Sequence, residues 1–196
     1  LSAYRITTAC SDIQRSKRRW GKYLYRYNPV QRAFRTAALV KSKNPYALIV
    51  DDYQKDDAPH QYDWIGNLEV GTVEVVSRSG RDLILKKKGK DDIGNHLLVR
   101  VIQADGLSGA PELVNTVIGA IPGNPNTGKK VTQVRISARD VVAPNFKVLL
   151  YPFAEGGALP RTDLSRDGLE VSWPGQKDTF RFEMGTDGRT RIELKE

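Results

Sequence analysis

Apolar residues along this chain recur at every second position or gather in short runs bounded by turn residues. Nowhere do they keep the three-and-four spacing of a helix. Thr36 to Val40 is one short apolar run. Ser42 to Pro45 reads as a turn, with Asn44 pushed out of the helical region by the proline that follows it. Tyr46 to Val50 is a second run, apolar enough to be buried on both faces of a sheet, and it ends abruptly in Asp51 and Asp52. A buried strand that meets two carboxylates must bring them to solvent, to a cation or to hydrogen-bond donors. His60 to Ile65 then alternates ring and polar side chains.

The same alternation continues to the C-terminus. Ile65 to Val76 predicts a strand or two broken by Gly66 and Gly71, with a turn at Ser77 to Gly80 and a strand from Arg81 to a basic tip at Lys86, Lys87 and Lys88. Asn95 to Gln103 is apolar, Val131 to Ser137 has period two, and Phe146 to Phe153 reads as buried. Val171 to Trp173, Thr179 to Met184 and Thr190 to Leu194 finish the pattern, joined by turns at Pro174-Gly175 and Asp187-Gly188. Many short strands with glycine-rich turns predict an all-β fold, an antiparallel β-sandwich with little helix. The expected organisation is a single module over residues 1–196, with an insertion or long loop at 104–128, where Gly, Pro and Asn cluster.

At the N-terminal end the pattern becomes chemical. Tyr4 to Cys10 alternates as a strand, and Ser11 to Arg19 is polar and basic. Trp20 to Tyr27 then sets Tyr23, Tyr25 and Tyr27 on one face of a strand and Lys22, Leu24 and Arg26 on the other. Trp20 and the three tyrosines thus stand beside Arg15, Lys17, Arg18, Arg19, Lys22 and Arg26. Aromatic faces stack on the C–H surfaces of sugar rings, and Lys and Arg pair with uronate or sulfate. These ten residues are the candidate ligand-binding face for an acidic polysaccharide. A second reading has the tyrosines in the core and the bases solvating a loop.

Charge supports an anionic partner, since 31 Lys and Arg against 23 Asp and Glu leave a formal net charge of +8 over 196 residues. Nucleic acid is not the expected partner. Bases and aromatics suit single strands, but no motif for them is present, and Lys86 to Lys88 reads as the guard of a sheet edge. The single cysteine, Cys10, excludes an internal disulfide framework. No apolar run approaches a membrane span, and Leu1 opens the chain without the basic start and apolar core of a signal peptide. Asp51, Asp52 and Asp56 could form an oxygen site for calcium; otherwise they are a solvated acidic loop with hydrogen bonds to backbone.

A set of motifs points to a family. Arg35-Thr36, Asn44-Pro45-Tyr46, Leu48 to Asp52 and Pro59-His60-Gln61-Tyr62-Asp63-Trp64 resemble the β-sandwich region of the heparinase II/III-like polysaccharide lyases. Ala143 to Phe153 resembles a late strand of that region, followed by Leu159-Pro160 and Asp187-Gly188-Arg189. The resemblance extends from about Tyr27 to the C-terminus. It implies a carbohydrate context, a secreted or periplasmic location, and a helical toroid lyase domain of the same parent protein as a partner. This chain would then be a cut-out domain or processed product. In those lyases an aspartate ending such a strand joins two histidines around a structural zinc. Asp51 matches the aspartate by position, but no histidine precedes His60, so no zinc site of that kind is expected. Lyase β-elimination needs a base, an acid and a neutraliser of the uronate, and the resemblance places most of these on the toroid. His60 and Tyr62 share a strand face, as many packed pairs do, so no catalytic residue is expected in this chain alone. The resulting expectation is a non-catalytic carbohydrate-binding or accessory β module for alginate- or glycosaminoglycan-like chains. The alternative is the structural β region of an intact lyase.

Overall fold

The computed structural model describes residues 6–9, 30–89, 94–117 and 128–195. Every regular element among them is a strand, and every pairing is antiparallel. In chain order these are β1 (Ile6–Ala9), β2 (Arg32–Val40), β3 (Tyr46–Gln54), β4 (His60–Leu68), β5 (Val73–Ser79), β6 (Asp82–Lys87) and β7 (Asn95–Gln103). There follow β8 (Glu112–Val117), β9 (Lys130–Val141), β10 (Phe146–Ala154), β11 (Arg161–Ser165), β12 (Gly168–Trp173), β13 (Gln176–Met184) and β14 (Thr190–Lys195). The segment expected to be an excursion supplies β8, which pairs with β9.

The strands form three sheets. A seven-stranded sheet has the order β1-β2-β3-β10-β7-β6-β5, a four-stranded sheet is the meander β11-β12-β13-β14, and a three-stranded sheet has the order β4-β9-β8. The large sheet lies between the other two, and the parity of its side chains shows this. From β10, Phe146 and Val148 join one apolar cluster with Trp64 of β4 and Val134 and Ile136 of β9. The intervening Leu149 and Tyr151 join a second cluster with Leu169, Val171 and Trp173 of β12 and Phe180 of β13. Val99 and Leu98 of β7 divide in the same way. A strand buried on both faces needs apolar residues at every position, which is why Tyr46 to Val50 and Phe146 to Phe153 are runs rather than alternations. Each fully buried large side chain contributes roughly 1.5–3 kcal/mol of transfer free energy.

Polar bonds hold the outer meander in register with the central sheet. Asn44, in the β2–β3 turn, donates from its backbone N–H to Gln176 Oε1 at 2.8 Å and from Nδ2 at 3.0 Å. Gln176 Nε2 donates back to Ser42 Oγ at 2.6 Å and to Asp178 Oδ2 at 2.8 Å. Tyr46 Oη donates to the same Asp178 carboxylate at 3.1 Å. Burial, and then the Asp178 charge, push the Tyr46 phenol far above its ordinary pKa, so it is a permanent donor.

Candidate functional site

The two carboxylates of β3 do not end the strand, which continues to Gln54. Both are buried, at 0% exposure for Asp51 and 3% for Asp52, and each has its own donors. Arg35 lies directly opposite Asp51 in the β2–β3 register and grips it with two bonds of 2.7 Å, from Nε and Nη2. The guanidinium lies 5.5 Å from the Trp64 ring centroid and donates to Tyr53 Oη at 3.4 Å. The Asp51 bond raises the Arg35 pKa still further, and burial pushes the Tyr53 phenol upward. Asp52 faces the other way. It accepts from Thr190 N at 2.7 Å and from Thr190 Oγ1 at 2.8 Å, while Thr36 Oγ1 donates to the Thr190 carbonyl at 2.9 Å. This joins β2 and β3 to β14.

Asp56 sits in the β3–β4 turn, accepting from Ala58 N at 2.8 Å and pairing with His60 Nε2 at 2.7 Å. The Ala58 bond, and then the His60 bond, hold its carboxyl below the usual range. Neighbouring residues of a strand point to opposite faces, so Asp51 and Asp52 face away from each other and the structure does not bring the three aspartates together. Among the described residues no group of three or more His, Cys, Asp or Glu is placed to hold a metal ion. His60 and Tyr62 meet edge to face at 6.3 Å, but the Tyr62 hydroxyl is committed, donating to the Val142 carbonyl at 2.7 Å and accepting from Lys55 N at 3.1 Å. His96 is buried, stacked on Phe153 at 5.3 Å with Nδ1 against the Gly94 carbonyl.

The feature with unsatisfied charge is a groove of about 780 Å³ at the margin of the second core. Its floor is Lys147 of β10 with Gln103 of β7; its walls are Arg181 and Phe182 of β13, Lys195 of β14, and the β11–β12 turn carrying Arg166 and Asp167. Lys147 takes the place of an apolar residue on the inner face of β10, in step with Leu149 and Tyr151. Its ammonium donates to Gln103 Oε1 at 2.7 Å and lies 5.1 Å from the Phe182 ring centroid. Burial lowers its pKa, and the more distant charges of Asp52 and Asp105 act the other way. Asp105 itself is engaged by Asn145 at 2.6 Å and Gln103 at 3.2 Å. Arg181 pairs with Glu183 at 3.2 Å across an exposed surface. Among the described residues Lys147, Arg166 and Lys195 form no ion pair. Such a groove can take up an anion: the Lys147 ammonium and the Arg166 guanidinium stand against the single Asp167 carboxylate, while Arg181 and Lys195, each next in its strand to a residue packed on the second core (Phe182, Leu194), point to the opposite, exposed face of the meander.

The candidate face proposed from sequence, Trp20, Tyr23, Tyr25 and Tyr27 with Arg15, Lys17, Arg18, Arg19, Lys22 and Arg26, lies outside the described residues. Sequence reasoning missed the groove because its residues come from six strands and one turn between Gln103 and Lys195. One signal was available: a lysine inside the apolar run from Phe146 to Phe153.

No protein-family model matches the chain, and neither does any curated protein. Among solved structures it is similar to a mutant of the heparan sulfate lyase HepC from Pedobacter heparinus, with 13% sequence identity and a TM-score of 0.41. That alignment covers 83% of this chain and 24% of the other, so the chain spans about a quarter of that enzyme's length.

Proposed function

We propose that the chain is a non-catalytic carbohydrate-binding or accessory β module that binds acidic polysaccharide, alginate- or glycosaminoglycan-like. The observation that carries this reading is the groove floored by Lys147, in which the cations outnumber the carboxylates. A formal net charge of +8 would draw a polyanion toward the molecule. The rings and bases from Arg15 to Tyr27 are a second set of groups whose chemistry suits an acidic glycan. The motif resemblance noted in the sequence supplies the carbohydrate context, a secreted or periplasmic setting, and a helical toroid domain of the parent protein as a partner.

One observation favours a second reading, in which the chain is the structural β region of an intact heparinase II/III-like lyase acting by β-elimination on uronate glycans. The motif residues Arg35, Asn44, Tyr46, Asp51 and Tyr62 all spend their polar groups on internal bonds. Affinity electrophoresis separates the two readings. Mobility should fall in gels containing alginate or heparin and stay unchanged in neutral glucan. Unchanged mobility in all three supports the structural reading. Ultraviolet absorbance from an unsaturated uronate product would instead show that the chain is an active lyase.

A further inference from the structure

From the groove geometry we infer that Lys147 is its specificity-determining residue, a half-buried ammonium that accepts only a ligand segment presenting a charged oxyanion, carboxylate or sulfate ester. This rests on the reading of the chain as an acidic-polysaccharide module and names the residue that does the selecting. The exposed cations Arg166, Arg181 and Lys195 attract any polyanion through solvent. The floor is different. Lys147 has surrendered part of its hydration, and among the described residues it has one acceptor, Gln103 Oε1 at 2.7 Å, and one ring face, Phe182 at 5.1 Å. An ammonium has three donors, so this environment leaves capacity for a further acceptor. A neutral hydroxyl would return little of the lost hydration, whereas an oxyanion would return more, because hydrogen bonds between charged groups are the strong ones. A neutral glycan is thus rejected at the floor as well as unattracted at the rim.

The charged groups around Lys147 bear on its protonation. Asp52 on β3 and Asp105 after β7 favour the proton, and burial opposes it. Asp167 in the β11–β12 turn and Arg166 beside it complete the surroundings, with Arg181 on β13 and Lys195 on β14 on the exposed face beyond. Because burial dominates and the pKa lies below the ordinary lysine value, raising the pH discharges the floor before an ordinary lysine would lose its charge. An anion bound there would hold the proton in place.

The test is calorimetric titration of the full chain with alginate, heparin and neutral glucan oligosaccharides. The variants are Lys147→Met, Lys147→Arg and the double variant Arg166→Ala with Lys195→Ala. Lys147→Met should weaken both acidic ligands about tenfold or more, the loss of one charge-assisted bond, and the loss should persist at high salt. The rim double variant should lose affinity mainly at low salt. Lys147→Arg should keep the preference for acidic over neutral glycan. Its affinity should also hold as pH rises toward the ordinary lysine pKa of about 10.4, where the wild type weakens. If Lys147→Met keeps wild-type affinity and selectivity, and Lys147→Arg follows the wild-type pH profile, the role of Lys147 is overturned while the module can still bind acidic glycan. If the wild type itself binds neither acidic ligand, the proposed function falls, and this inference with it. Thermal midpoints of all variants confirm that the proteins compared are folded.

Discussion

Removing the Asp52 carboxylate would strand the backbone N–H and the hydroxyl of Thr190, both buried between β3 and β14. Asp52→Ala should therefore cost on the order of 2–4 kcal/mol in urea unfolding, well above an exposed Asp→Ala change. Arg35→Ala strands the Asp51 carboxylate, which is fully buried. Its cost should be on the order of 2–3 kcal/mol, short of a fully buried pair because solvent reaches the arginine side. Lys147 should behave oppositely. Its folded pKa lies below its unfolded one, so between the two values the unfolded chain holds the proton more tightly, and stability rises with pH across that window. Below the window, at neutral pH, the charged lysine is a cost to folding. Lys147→Met should then raise the thermal midpoint at pH 7 and abolish the rise of stability with pH, even as it weakens binding. A lower midpoint would mean that Lys147 serves the fold. The roles of Asp51 and Asp52 were half legible. A strand running into two carboxylates announced buried partners, but those partners lie 16 and 138 positions away.

At the scale of elements, the β11–β12 hairpin shapes one wall of the groove, and Gly168 makes it possible. Its φ of 140° suits glycine, and a Cβ there would run into the carbonyl oxygen of Phe180 on β13. Gly175, in the β12–β13 turn, also has positive φ, at 80°, but a Cβ would meet open space. Gly168→Ala should thus destabilise by about 2 kcal/mol or more and weaken acidic-glycan binding. Gly175→Ala should cost roughly 1 kcal/mol of backbone strain and leave binding intact. Unfolding midpoints and titrations on both variants check the contrast; equal effects would detach the hairpin from the groove. The strands that could be read in advance were those with a burial signature. Tyr46 to Val50 and Phe146 to Phe153 are apolar at successive positions because both faces are covered. β11 was missed, since Arg161 to Ser165 is a polar sheet edge whose place is set by pairing with β12. β5 was cut short at a turn expected over Ser77 to Gly80, although the strand runs on to Ser79, an exposed edge that pairs with β6 through a bulge.

At the scale of the whole molecule, charge and stacking should separate by salt. Removing a ring at Trp20 or Tyr25 should cost glycan affinity at every ionic strength, because stacking is short-range. Arg18→Ala with Arg19→Ala should cost most at low salt, since exposed charges are screened beyond about 8 Å at physiological ionic strength. The basic tip Lys86 to Lys88 is the control, having charge without rings. If its triple alanine variant weakens binding as much as the Arg18 and Arg19 pair does, attraction is diffuse and the face from Trp20 to Tyr27 is not a site. By itself the sequence determined the all-β class, the antiparallel sandwich and the basic net charge. Each follows from local quantities: the period of apolar residues, the turn chemistry and the count of charges. Only the tertiary structure decided that one sheet is covered on both faces, that Asp51 and Asp52 face opposite ways to Arg35 and Thr190, and that Lys147 of β10 lies in one groove with Gln103 of β7, Phe182 of β13 and the β11–β12 turn. Those facts depend on which distant strands pack together, and packing is a property of surfaces that strand periodicity cannot specify.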